Sequence, residues 1–122
     1  MGVTIYPYRA SWSYGGFNRF RHRLAAEEGI NLDAMQGFGG EGKWETSNGD
    51  PITPLAPLLN HSDCDGILES WDCELVEPRL SAILARWATD PSPEARYDVE
   101  HGLKLAAAMR HSVEHGCAVT FA

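Results

Sequence analysis

Strand-forming residues stand at the two ends of this chain. Residues 3–8 (VTIYPY) and 117–121 (CAVTF) combine β-branched and aromatic side chains, the composition of short strands. Two isolated strands are not stable in water, so they have to pair with each other and lean on the chain between them. That intervening chain reads as helices. Ser13 caps a helix running to about Glu28, with Phe17, Phe20 and Leu24 at helical spacing and Gly29 as the stop. Asn31 caps a short helical turn over residues 32–35. Residues 37–51 are rich in glycine and turn formers and read as a loop. Thr53-Pro54 places a cap before a proline at the first helical position, and Pro57 limits the helix there to about a turn.

Ser70 caps the next predicted helix at Trp71. Pro78 is expected to kink or restart it, with Glu77 as the boundary, and Val76, Leu80, Ile83, Leu84 and Trp87 form its apolar face. The stretch TDPSP at 89–93 ends it. A last helix runs from Pro93 or Arg96 to His115, with Val99, Leu103, Ala106, Met109 or Arg110, and Val113 on one stripe and Gly116 as its stop. The expected fold is therefore α+β: one domain over residues 1–122, mostly helical, with a two-stranded sheet made by the N- and C-terminal segments.

Composition narrows the class. The chain has 122 residues, 43% apolar and 22% charged, which is ordinary for one globular domain. No run of about 18 apolar residues offers a membrane span, and the N-terminus lacks the pattern of a signal peptide. Three cysteines, Cys64, Cys73 and Cys117, suit a reducing compartment. The expectation is a cytoplasmic protein. Its formal charge of −7 opposes binding to nucleic acid or anionic membrane.

The segment 61–72 (HSDCDGILESWD) can be laid on the twelve-residue calcium loop of an EF-hand. That loop takes oxygen ligands from positions 1, 3, 5, 7, 9 and 12 and turns on a glycine at position 6. Asp63, Asp65 and Gly66 fall on positions 3, 5 and 6. The carbonyl of Ile67 falls on 7, Glu69 on 9 and Asp72 on 12. Calcium or magnesium is the expected ion. Position 1 is His61 and position 12 is the shorter aspartate, so the loop is degenerate and its site weak. The plainer reading is a helix-entry turn, in which carboxylates sit at the favourable end of a helix dipole. Zinc ranks lower: His61, Cys64 and Cys73 are zinc-type ligands, and His111 and His115 share a helical face with Cys117 close behind, but the spacing matches no standard finger.

Other signals are weaker. Residues 37–43 (GFGGEGK) have the spacing of a phosphate-binding loop, yet Trp44 stands where Ser or Thr is required. Phe38 and Trp44 are expected to tuck back onto the core. Arg19, Arg21, His22 and Arg23 form a basic cluster, read as an ordinary surface with Glu27 one turn beyond Arg23. Trp12, Tyr14, Trp44 and Trp71 sit at predicted junctions, where aromatic residues serve either packing or an interface. No nucleophile elbow or His-Glu-x-x-His pair is present.

The segments FNRFRHRLAAEEGINLDAMQGFGG (17–40), TPLAPLLNHSDCDG (53–66) and EHGLKLAAAMRHSVEHG (100–116) together resemble a family of small uncharacterised proteins of actinobacteria and their phages. The resemblance spans most of the chain. It implies an accessory protein, phage-encoded in some cases, and transfers no activity, cofactor or site residue. The leading expectation is a non-enzymatic protein that binds another protein. The alternative is a divalent-cation-binding module built on the 61–72 loop.

Overall fold

A computed structural model describes residues 2–122. The protein is α+β, and its sheet has four strands rather than two. In chain order the elements are β1 (Gly2–Tyr6), β2 (Ala10–Ser13), α1 (Tyr14–Glu27), a 3-10 turn (Leu32–Ala34), α2 (Ala56–Leu59), β3 (Gly66–Leu68), α3 (Ser70–Trp87), α4 (Pro93–His115) and β4 (Val119–Phe121). The strands run antiparallel in the order β2-β1-β4-β3. The two ends do pair, Ile5 opposite Phe121 and Tyr6 opposite Thr120. Each end, however, has gained a further neighbour.

The first addition is β2. The predicted strand over 3–8 stops at Tyr6, turns through Pro7 and Arg9, and returns as Ala10–Ser13 against β1. Arg9 takes a positive φ of 61° in that turn. Nothing in ASWS but Trp12 favours a strand, so tertiary pairing overrides local preference here. Ser13 then serves twice, as the last strand residue and as the α1 cap, its hydroxyl accepting the Gly16 N–H at 3.0 Å. The second addition is β3, three residues inside the predicted calcium loop, which pair with β4 from Gly66–Phe121 to Leu68–Val119.

One face of the sheet is apolar throughout: Val3, Ile5, Ala10, Trp12, Leu68, Val119 and Phe121 are all buried. Their alternation follows the two-residue period of a strand with one wet face. Phe17, Phe20 and Leu24 of α1 meet this face, and Trp12 stacks on Phe20 with ring centroids 4.5 Å apart. Each such side chain contributes roughly 1.5–3 kcal/mol on full burial.

Helices α3 and α4 form a hairpin against this layer. α3 is one helix through Pro78, without the restart that a mid-helix proline predicts. Pro78 and Glu74, whose carbonyl loses its helical partner to the proline, are both exposed residues on the outer side of the helix. Glu69, not Ser70, is the N-cap residue. The predicted apolar face of α3 is fully buried. The expected α4 stripe holds in part: Ala106 and Met109 are buried, but Leu103 and Val113 are exposed, and the buried line also takes in Ala95, Asp98, Gly102, Leu105 and Ser112. Gly102 sets this phase, because a Cβ there would lie 2.6 Å from Leu84 Cδ2. The helices approach too closely for a leucine at that position.

No described helix is long and apolar enough to cross a membrane.

Candidate interaction surface

The 61–72 segment is held by contacts that use several of its expected ligands. The His61 imidazole lies over Phe121, ring centroids 4.0 Å apart. Its Nδ1 is 2.9 Å from the Ser62 carbonyl and its Nε2 is 2.8 Å from the Ile67 carbonyl. The Ile67 oxygen, the expected position-seven ligand, therefore already faces an imidazole, and its residue lies in β3. Ser62 Oγ donates to Asp65 Oδ1 at 3.1 Å and accepts the Cys64 and Asp65 amides, closing the turn. Asp63, Glu69 and Asp72 are half-buried along this path, and Asp72 sits in the first turn of α3. Among the described residues, as the side chains stand, no three His, Cys, Asp or Glu converge on one point as a formed metal site.

The zinc-type residues divide into two groups. Cys73 is buried, its thiol directed at the Leu68 carbonyl, and burial pushes that thiol above its usual range. Cys64 is exposed on the turn. At the far end of α4, Cys117 Sγ lies 3.7 Å from His111 Nδ1.

The basic cluster on α1 is not one surface. Arg21 is 4% exposed and donates to the carbonyls of Leu59 and His61, so α1 anchors the entry to the 61–72 segment from inside the core. Periodicity would have shown this, since Arg21 lies one turn from both Phe17 and Leu24. Arg23 pairs with Asp98 at 2.7 Å and His22 with Asp33 at 2.9 Å. Arg19 is exposed and lines a cleft of about 510 Å³ between α1 and α4, with Trp12, Arg23, Tyr97 and Asp98. The charges at its floor satisfy one another: buried Asp98 accepts from both Trp12 Nε1 and Arg23. That arrangement is explained as structure.

The glycine-rich loop also folds back on itself. The Gln36 amide donates to the Gly42 carbonyl and the Gly42 amide to that of Ala34. Trp44 is buried and donates to the Gln36 carbonyl at 2.9 Å, with Phe38 edge-on to its ring at 6.3 Å. Neither the strand before nor the helix after that a phosphate loop requires is present among the described residues.

Trp71 is the tryptophan that does not pack. Trp12, Trp44 and Trp87 are under 10% exposed, whereas Trp71 is 66% exposed in the first turn of α3. Leu75 lies one helical turn later and Ile67 precedes it in β3, and both are exposed. Alongside runs a groove of about 320 Å³ between the 44–51 loop, α2 and β3, with Trp44, Pro51, Pro57, Ile67 and Asp72 among its walls. Its walls carry two carboxylates, Glu45 and Asp72, and no Lys or Arg.

Compared with protein-family models, curated proteins and solved structures, the chain matches none.

Proposed function

We propose that this is a non-enzymatic accessory protein that binds another protein through the apolar, acidic face centred on Trp71. One observation carries the reading. The fold buries three tryptophans and leaves the fourth two-thirds exposed, between Ile67 and Leu75. Large aromatic side chains supply much of the binding energy at protein interfaces, and tryptophan leads that group. The acidic surroundings favour a partner segment with basic residues flanking its apolar anchors, because complementary charge speeds encounter and fixes orientation.

The test is comparative capture from cell extract. Wild type and Leu103→Ser, altered at an exposed residue of α4 outside this face, should retain the same partner. Trp71→Ser should lose it, and added salt should weaken its retention. An identical set of retained proteins for wild type and Trp71→Ser would overturn the proposal.

The rival reading, a cation in the 61–72 loop, requires the Ile67 carbonyl to exchange its imidazole contact for the ion. Its signature is a rise in Tm with millimolar calcium, abolished by Asp65→Ala.

A further inference from the structure

The C-terminal end of α4 carries a cluster of metal-ligating side chains that the Trp71 face does not involve. Gly116 takes the left-handed conformation, φ 66°, and its N–H bonds back to the Ser112 carbonyl. The chain therefore reverses at the helix end. The Ser112 hydroxyl then donates to the Cys117 carbonyl, fixing the returning residue against the last turn. The result is that Cys117 comes back beside His111.

Three distances define the cluster. Cys117 Sγ is 3.7 Å from His111 Nδ1. The His111 and His115 rings, one helical turn apart, have centroids 4.4 Å from each other. Tyr8 closes the other side of His111, edge-on at 5.8 Å. Cys117 and His115 are exposed and His111 is half-buried, so an ion can reach them.

We infer that His111 and Cys117, joined by His115 once its exposed side chain rotates toward them, form a binding site for a borderline-soft divalent transition-metal ion of the zinc or cobalt class. A tetrahedral ion with Zn–N near 2.05 Å and Zn–S near 2.3 Å holds its nitrogen and sulfur about 3.5 Å apart. The His111–Cys117 pair is already at close to that spacing. His115 completes the set by turning an exposed imidazole toward its neighbour, an i, i+4 histidine pair being a standard metal-binding arrangement on a helix. A fourth position is left for water. Sulfur and imidazole donors select this class of ion over calcium and magnesium.

The electrostatics agree. The last carbonyls of a helix carry partial negative charge, and α4 is 23 residues long. Val113 and Glu114 line the groove toward α3. On binding, the Cys117 thiol releases its proton to solvent and coordinates as thiolate, while both imidazoles bind in the neutral form.

Titration of the full chain with Co²⁺ tests the inference, because thiolate-bound cobalt gives an intense near-ultraviolet charge-transfer band and tetrahedral cobalt a visible one. The band should saturate at one ion per chain, persist in Cys64→Ser and vanish in Cys117→Ser. His111→Ala and His115→Ala should each weaken binding by at least about tenfold. All three ligand positions lie at the helix end, so the apo Tm of each of those variants should stay near that of wild type. Absence of the band in wild type, or its persistence in Cys117→Ser, would overturn the site. Because Trp71 is not involved, Trp71→Ser should bind cobalt as wild type does, and failure of the docking proposal leaves this one standing.

Discussion

Arg21 is a charged residue in the core, and its surroundings explain how it stays there. Its guanidinium carbon lies 4.8 Å from the Phe17 ring centre and 5.2 Å from that of Phe38, and it serves two backbone carbonyls, while Nε has no partner. Burial lowers its pKa and the nearby Asp63 carboxylate opposes that shift. Replacing it with Met keeps the volume but strands the Leu59 and His61 carbonyls. Arg21→Met should therefore destabilise by about 1–3 kcal/mol, read as a fall in denaturant midpoint without a change in slope. Two histidines supply a pH test with opposite signs. His101 Nδ1 accepts the Ser11 N–H at 3.0 Å, which requires the neutral ring, and burial depresses its pKa. Its contribution is whole above the unfolded value near 6.5 and is lost as pH falls through the folded one. His22 is raised, chiefly by its hydrogen bond to Asp33. Its contribution is whole below about 6.5 and is lost as pH rises through the folded value. Tm against pH should thus fall less on the acid side in His101→Gln, whose side-chain oxygen still accepts the Ser11 amide. In His22→Gln the alkaline-side loss should shrink instead.

At the scale of elements, Gly102 governs how α3 and α4 meet. A methyl group there lands against Leu84, so Gly102→Ala should cost about 1–3 kcal/mol in overpacking, partly offset by about 1 kcal/mol of helix propensity. Its Tm should fall although alanine is the better helix former; a rise would mean that Leu84 moves aside freely. The same position marks the limit of what sequence alone reveals. Helices α1, α3 and α4 are legible from apolar spacing, a serine before α1 and α4, and glycine after both. The buried face of α3 is legible because large apolar residues recur at helical spacing from Val76 to Trp87. The face of α4 is legible only in part: Ala106 and Met109 lie on it as expected, but Gly102, Ser112 and Asp98 are small or polar residues that a search for large apolar ones passes over. Strands β2 and β3 are hidden for a related reason: they are four and three residues long and exist through pairing with β1 and β4. Of the candidate surface, Trp71 is visible as a residue at a junction. Its exposure is not, since a tryptophan before a helix packs inward as readily as outward.

At the scale of the whole molecule the sheet joins distant parts of the chain, and β4 is the piece that joins them. It lies between β1 and β3 and has no edge of its own. The true edges are β2 and β3, and each carries an imidazole against an edge group: His101 takes the Ser11 amide, and His61 faces the Ile67 carbonyl. Tyr97 also donates to the Ser11 carbonyl at 2.7 Å. Side chains thus occupy backbone groups that would otherwise recruit a further strand. The centre has no such substitute. Phe121 is buried where the His61 and Phe17 rings meet it, and through β4 it holds the N-terminal hairpin and the 61–72 segment in one layer. Phe121→Ala should cost about 3–5 kcal/mol, as for an aromatic core truncation. Ending the chain at Gly116 removes the strand altogether, leaving β3 unpaired and β1 with β2 alone. A two-stranded remnant is marginal in water, so that chain should lose the cooperative thermal transition while keeping part of its helical circular dichroism. If it instead melts as cooperatively as the full chain, the helical layer folds without the sheet, and β4 would not be what couples the two ends.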